Sequence, residues 1–438
     1  MLPQKYRWLF LLVASYFFYI NIKPIYALLL VGVTITTYFF AILIDKAKSE
    51  KNKQRLLIVD ITLTLLPLFF FKYFTAVDKG VIDLLNYTGL HIPLPNISLI
   101  LPVGISFYTF MALGYVIDVY NEDIEVEKNI GIVALFLAFF PTVMSGPIER
   151  ASNMFYQFKG KLEFKYEMVV KGFQMMLWGY FMKLTIADRL SIYIDAVFKN
   201  VDQHVGSSLL LASLMQPIRV YADLGGYSVI AIGCAKVMGI DVMPNFNRPF
   251  FATTMSELWR RWHMSLIKWL TDYVYTPISF GLRRYRQLGI IIALNLTFLI
   301  SGLWHGAALN FLVWGLIQGL ALSWETLTRK KKDSFETRFK LKNKGWYIFL
   351  SCFSTYLLFA FSLCFTGEAP TVPAVFHFLN KIFTNSLHVP YKDAIQCCLD
   401  LWHLLFYSLK ILWRNIILDE YFYSTIKIYW LDGSLITL

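Results

Sequence analysis

Long apolar runs, recurring from one end of this chain to the other, limit it more than any other feature. A helix needs about 20 residues to cross a hydrocarbon core of roughly 30 Å. Runs of that order fall at residues 8–21, 25–44, 56–74, 99–119, 129–147, 168–187, 207–238, 287–303, 307–327, 346–366 and 395–416. Pro217 and Gly225-Gly226 leave 207–238 readable as one long helix or a broken one. Charged residues make up only 16% of the chain, against about 25% in soluble domains, so lipid rather than water is the solvent to expect. The expected fold is all-α and polytopic, with ten or eleven transmembrane helices plus re-entrant or amphipathic ones. Residues 1–370 read as one membrane domain, with 371–438 a C-terminal membrane segment assigned to the same domain. The start, MLPQKYRWLFLLVASYFFYI, passes from basic residues into an apolar stretch with no small-residue cleavage site after it. It reads as a retained transmembrane helix.

The net charge of +12 comes largely from short basic loops. These are Lys46 to Arg55, Arg283 to Arg286, and Arg329 to Lys344. Such clustering is what the positive-inside rule expects of cytoplasmic loops, and no basic run carries a nucleic-acid motif. The five cysteines show no metal-ligand spacing. Glycine-rich phosphate loops, dinucleotide fingerprints and nucleophile elbows are absent as well. Composition alone leaves a channel or transporter open.

Two regions break the pattern of simple spans. In 239–286, Thr254 and Glu257 form a capping box. Trp262, Leu266, Trp269 or Leu270, and Tyr273 follow at helical spacing, with Arg260, Arg261 and Lys268 on the polar side. This predicts a basic, Trp-rich amphipathic helix at the bilayer surface or re-entrant, closed by Pro277. The second region is SGLWHG at 301–306. The helix before it starts after the loop at Arg283–Arg286, and about 17 residues give roughly 25 Å of rise. His305 therefore belongs inside the bilayer, nearer the non-cytoplasmic side. Thr297, Ser301 and His305 share one helix face if the helix continues that far.

Ionisable groups within membrane segments are costly and point to function. A neutral imidazole at His305 can take the proton of a hydroxyl as that hydroxyl attacks an acyl carbon. It can equally be a structural histidine bonded to a neighbouring helix. His263, on the amphipathic helix, is either a second site residue or an interfacial polar group. Arg260 and Arg261 suit an anionic ligand or lipid phosphates. Asp223 and Arg219, four residues apart, are expected to pair.

The stretches LWRRWHMSLIKWLTDYVYTP at 258–277 and FLISGLWHGAALNFLVWGLIQG at 298–319 resemble the paired signatures of the membrane-bound O-acyltransferases, in particular the alginate O-acetyltransferase branch. LPVGISFYTFMALGYVIDVY at 101–120, FFPTVMSGPIER at 139–150 and YADLGGYSVIAIGCAKVMGI at 221–240 extend the likeness. The resemblance implies a ring of helices around a tunnel, with His305 as the catalytic histidine and His263 as the second one. It implies no metal and no bound cofactor. The acyl donor would be a cytoplasmic acetyl thioester such as acetyl-CoA, with Arg260, Arg261, Trp262, Ser301 and Trp304 as substrate-binding residues. The acetyl group would pass to an extracytoplasmic polysaccharide, directly or through an SGNH-type partner, across a bacterial plasma (inner) membrane. The teichoic-acid D-alanylation branch shares the FFPT…SGPI and RWHMSL pieces. SFGLRRYRQ at 279–287 departs from the Gly-Gly-Asn-Arg turn of close alginate-type relatives, and the last seventy residues match no feature of the family.

Overall fold

A computed structural model describes residues 6–87, 101–161, 163–366 and 371–384, and contains no strand among them. The first half carries α1 (Arg7–Ile22), α2 (Pro24–Lys46), α3 (Glu50–Tyr87), α4 (Ile105–Tyr120), α5 (Ile130–Ala138) and α6 (Ala151–Lys159). Then α7 (Tyr166–Tyr180) continues through a π-helical stretch, Phe181–Ala187, into α8 (Asp188–Lys199), and α9 (Gly206–Val237) follows. The second half holds the short α10 (Met255–Arg261), α11 (Met264–Leu270) and α12 (Thr276–Gly281), then α13 (Arg286–His305), α14 (Leu309–Arg338), α15 (Gly345–Leu363) and α16 (Val372–Thr384). Among the described residues, four helices are long and apolar enough to cross a bilayer alone: Pro24–Lys46, Glu50–Phe74, Arg283–His305 and Gly345–Leu363. Arg7–Ile22 and Ile105–Tyr120 are shorter apolar helices. Large apolar side chains also face outward, among them Phe17, Leu28, Ile35 and Phe39, where lipid tails rather than water suit them. The polytopic helical fold is borne out. The expected span at 395–416 lies outside the described residues.

Three expectations about helices are corrected. The run at 129–147 gives only the nine residues of α5. Pro141 disfavours helical geometry in the residue before it, and the chain turns from Phe139 onward. The amphipathic helix at 254–277 is not continuous. It breaks at Trp262 and His263, where His263 takes a left-handed φ of 46°. Pro277 does not close it: the helix runs on from α11 through a π-helical stretch, Thr271–Tyr275, into α12, and Pro277 lies within that continuation. Trp259, Trp262, His263, Leu266 and Trp269 are all buried, so this segment packs inside the protein rather than on its surface.

The 207–238 stretch resolves as one helix that runs through Pro217 and Gly225-Gly226. The glycines are there for close packing. A Cβ on Gly233 would lie 2.6 Å from the Gly172 carbonyl oxygen, and one on Gly226 would lie 2.9 Å from that of Gly179. Gly172 and Gly179 on α7 are seven residues apart, as are Gly226 and Gly233 on α9, so each pair falls on one face two turns apart. The backbones of α7 and α9 therefore touch at two points, in the small-residue packing typical of membrane helices. Gly233→Leu is expected to destabilise the protein by about 3 kcal/mol or more, since overpacking costs 1–3 and here meets backbone. Gly32→Leu, where nothing lies within 4 Å of an added Cβ, should leave melting in detergent unchanged.

Side-chain contacts order the ends of the bundle. Lys53 at the start of α3 pairs with Glu122 just past α4, at 2.7 Å. Trp269 reaches the Phe110 carbonyl and Tyr273 reaches Asp118, so the chain from α11 to α12 runs beside α4 toward that same end. The basic residues Arg283–Arg286 follow. Asn295 bonds Ser323 across the α13–α14 hairpin, which returns Arg329–Arg338 to that end as well. The three basic clusters thus share one end. His305, at the far end of α13, stands about 30 Å of helical rise away from it.

The expected Arg219–Asp223 pair does not form. Arg219 binds Asp195 on α8, and Asp223 binds Lys183 at 2.6 Å, which also holds Asp188 at 2.7 Å. Partners on neighbouring helices meet these groups more directly than the next turn of their own helix does.

Candidate active site

Two buried clusters meet at the C-terminal end of α13. Trp269 and Trp304 pack with the first, built on α1–α6, and Trp259, Trp262 and Trp314 belong to the second. His305 lies at this junction as the last residue of α13. Its ring packs edge-on against Trp304 (4.7 Å, 73°) and Trp314 (5.0 Å, 81°) and lies nearly parallel to Phe311 at 6.5 Å. His305 is nonetheless exposed. An imidazole framed by aromatic rings yet open to its surroundings can meet a substrate.

The local backbone explains how His305 is held. The chain turns at Gly306 and starts down α14. A Cβ on Gly302 would fall 2.4 Å from the Phe311 carbonyl oxygen, and one on Gly306 would fall 2.3 Å from the Phe311 ring. A side chain at either glycine would block this close approach. Thr297 and Ser301 are buried on α13, which stays helical through His305. A helix end leaves its last carbonyls unpaired. Here the Tyr73 hydroxyl of α3 donates to the Leu303 carbonyl at 2.5 Å, and the neighbouring Lys72 places its ammonium 5.3 Å from the Trp304 ring centre. Neither Lys72 nor Tyr73 is a candidate from sequence, because nothing local marks α3 as a neighbour of α13.

His263 is brought to the same place. It is buried, and its ring lies 6.2 Å from that of Trp304, so the two histidines flank one indole. Phe110 stacks on Trp304 at 5.5 Å and on Trp269 at 4.1 Å, which fixes that indole from the α4 side. The His263 Nδ1 lies 3.1 Å from the Asn245 Oδ1. An amide oxygen only accepts, so Nδ1 carries the proton and Nε2 keeps its lone pair. Asn245 is itself fixed. Its Nδ2 donates to Ser228 Oγ, its Oδ1 accepts from Ser265 Oγ, and its carbonyl accepts from the Met264 amide. Sequence reasoning misses Asn245, eighteen residues before His263 in an irregular stretch.

The remaining candidates separate. Trp262 packs in the second cluster against Phe246 and Phe359. Arg261 is tied to Glu257 at 2.6 Å, and Arg260 is exposed. The capping box holds in altered form. Thr254 Oγ1 accepts from the Glu257 amide, while the Glu257 carboxylate accepts from the amide and hydroxyl of Thr253. Glu325 of α14 caps the next two amides, of Met255 and Ser256, and so anchors α10 to the α13–α14 hairpin.

A family model described as MBOAT, membrane-bound O-acyltransferase family, matches residues 129–366, which include both histidines. The chain belongs to the membrane-bound O-acyltransferase family. It is similar to a probable alginate O-acetylase of Pseudomonas syringae pv. tomato, 34% identical over 356 residues, covering 80% of this chain and 68% of that protein. A peptidoglycan O-acetyltransferase of Helicobacter pylori is 33% identical over 343 residues, with 72% and 63% covered. A teichoic acid D-alanyltransferase of Bacillus subtilis is 26% identical over 314 residues, with 70% and 76% covered. The protein is thus a multi-pass membrane acyltransferase. The chain spans about two thirds of the length of the first two relatives.

Proposed function

We propose that this acyltransferase moves an acetyl group from a cytoplasmic thioester, acetyl-CoA, to a hydroxyl of an extracytoplasmic polysaccharide, directly or through an SGNH-type partner protein, in a bacterial inner membrane. The observation that carries the reading is the accessible imidazole of His305, framed by aromatic rings and paired with His263 across Trp304. The ring nitrogen of His305 takes the hydroxyl proton as the hydroxyl oxygen attacks the acyl carbon. The carbon–sulfur bond then breaks, and the departing thiolate recovers the proton from the imidazolium. His263, oriented by Asn245, positions the donor or the acceptor. Its Nε2 can only accept, so it holds a hydroxyl or amide hydrogen. Acetyl rather than D-alanyl transfer is favoured by identity: relatives named for O-acetylation lie at 33–35% and those named for D-alanyl transfer at 26–27%.

Membranes containing the full chain, supplied with labelled acetyl-CoA and a crude polysaccharide and periplasmic protein fraction, should yield a label in ester linkage to sugar or to a protein hydroxyl. Label that enters only from a D-alanyl carrier, with none from acetyl-CoA, would replace acetyl by D-alanyl as the cargo.

A further inference from the structure

An indole N–H donates and cannot accept, so burying one without an acceptor sacrifices its hydration for nothing. Among the described residues, buried side-chain polar atoms without a hydrogen-bond partner include just two nitrogens, the Nε1 atoms of Trp304 and Trp314, and every other such atom is an oxygen. Both rings pack edge-on against His305, at 4.7 and 5.0 Å. The neighbouring tryptophans set the contrast. Trp259 Nε1 donates to Gln318 Oε1 at 3.2 Å, and Trp269 Nε1 donates to the Phe110 carbonyl at 2.8 Å. Fold packing therefore satisfies the indoles one layer out and leaves unpaired the two that touch the base.

We infer that the indole N–H groups of Trp304 and Trp314 are the donors that receive the acyl carbonyl oxygen during transfer, which rests on the role proposed for His305. When the hydroxyl oxygen adds to the acyl carbon, the carbonyl π pair moves onto oxygen. That oxygen needs donors already in place, because donors that must reorient first stabilise it poorly. Both rings are held rigidly. Trp304 is stacked on Phe110 and lies beneath the Lys72 ammonium. Trp314 is 3% exposed and packs edge-on against Trp259 at 5.9 Å. Lys72 adds a positive charge on the side where negative charge develops. As the tetrahedral centre collapses, the pair returns, the carbon–sulfur bond breaks and the two indoles are released. The ligand chemistry is that of a thioester or ester carbonyl, and a small acyl group suits the aromatic surround.

The test uses the full chain in membranes or detergent, with acetyl-CoA as donor. Trp304→Phe and Trp314→Phe keep an aromatic ring and remove the N–H. Benzothienylalanine introduced at either position keeps the bicyclic shape and removes only the donor, which guards against a packing defect in the phenylalanine variants. Each replacement is expected to lower kcat by about 10²–10³-fold with the KM for acetyl-CoA little changed and melting retained. Wild-type kcat in the benzothienylalanine proteins, alongside an inactive His305→Ala control, would overturn the donor role and leave the base role standing. Full activity of His305→Ala would instead remove the base role, and the donor role with it.

Discussion

His305→Ala is expected to abolish acyl transfer while the protein folds as before. The side chain is exposed, and the rings around it have other supports. Trp304 is stacked on Phe110, Trp314 is packed on Trp259, and Phe311 is clasped by Gly302 and Gly306. Removing the imidazole therefore opens little cavity. A positioned general base contributes typically 10²–10⁴-fold. Labelled acetyl transfer should drop by at least about 10²-fold, while detergent melting stays where the wild type lies. His305→Gln fills the same volume with a group that cannot accept a proton near neutrality, so it should be as inactive as alanine. Wild-type transfer by a well-folded His305→Ala protein would leave the aromatic frame as a structural joint and nothing more.

The features legible in the sequence are those set by chemistry within a turn or two of helix. Apolar length marks α2, the first part of α3, α13 and α15 as spans, because hydropathy over about 20 residues needs no partner to be read. The basic loops, and the separation of His305 from them along α13, follow from the same local count. What the sequence conceals is contact between elements distant along the chain. Lys72 and Tyr73 sit in an ordinary apolar helix until the end of α13 is laid beside it. Gly225-Gly226 reads as an interruption until Gly226 is seen against Gly179, and only then does the seven-residue glycine spacing acquire meaning. The same holds for Arg219 and Asp223, whose helix neighbours lose to partners on other helices. Trp314 is one of many tryptophans in an aromatic chain, and its unpaired nitrogen is a property of packing alone.

The break at His263 concealed most, because no residue type in RWHMSL announces a left-handed backbone, and it also offers the second large effect. A non-glycine residue with φ near 46° stores of order 1–3 kcal/mol and persists where its surroundings over-determine it. Here the Met264 amide donates to the Asn245 carbonyl at 2.8 Å, and His263 Nδ1 meets the same residue's Oδ1 at 3.1 Å. Backbone and ring are thus held by one asparagine, and their contributions separate by substitution. Glycine at 263 loses the ring and removes the backbone penalty. Alanine loses the ring and keeps the penalty, which is about 1–2 kcal/mol for an L-residue in this region. His263→Gly should therefore melt higher than His263→Ala. If the imidazole positions a substrate group beside Trp304, both variants lose transfer by about 10²-fold, the scale of a misplacement near 1 Å. If the residue serves only to turn the chain between α10 and α11, glycine does that at least as well, and His263→Gly keeps wild-type transfer while His263→Ala is merely less stable. Melting temperature and initial acetyl-transfer rate, measured together on the two variants, decide between a backbone hinge and a working side chain.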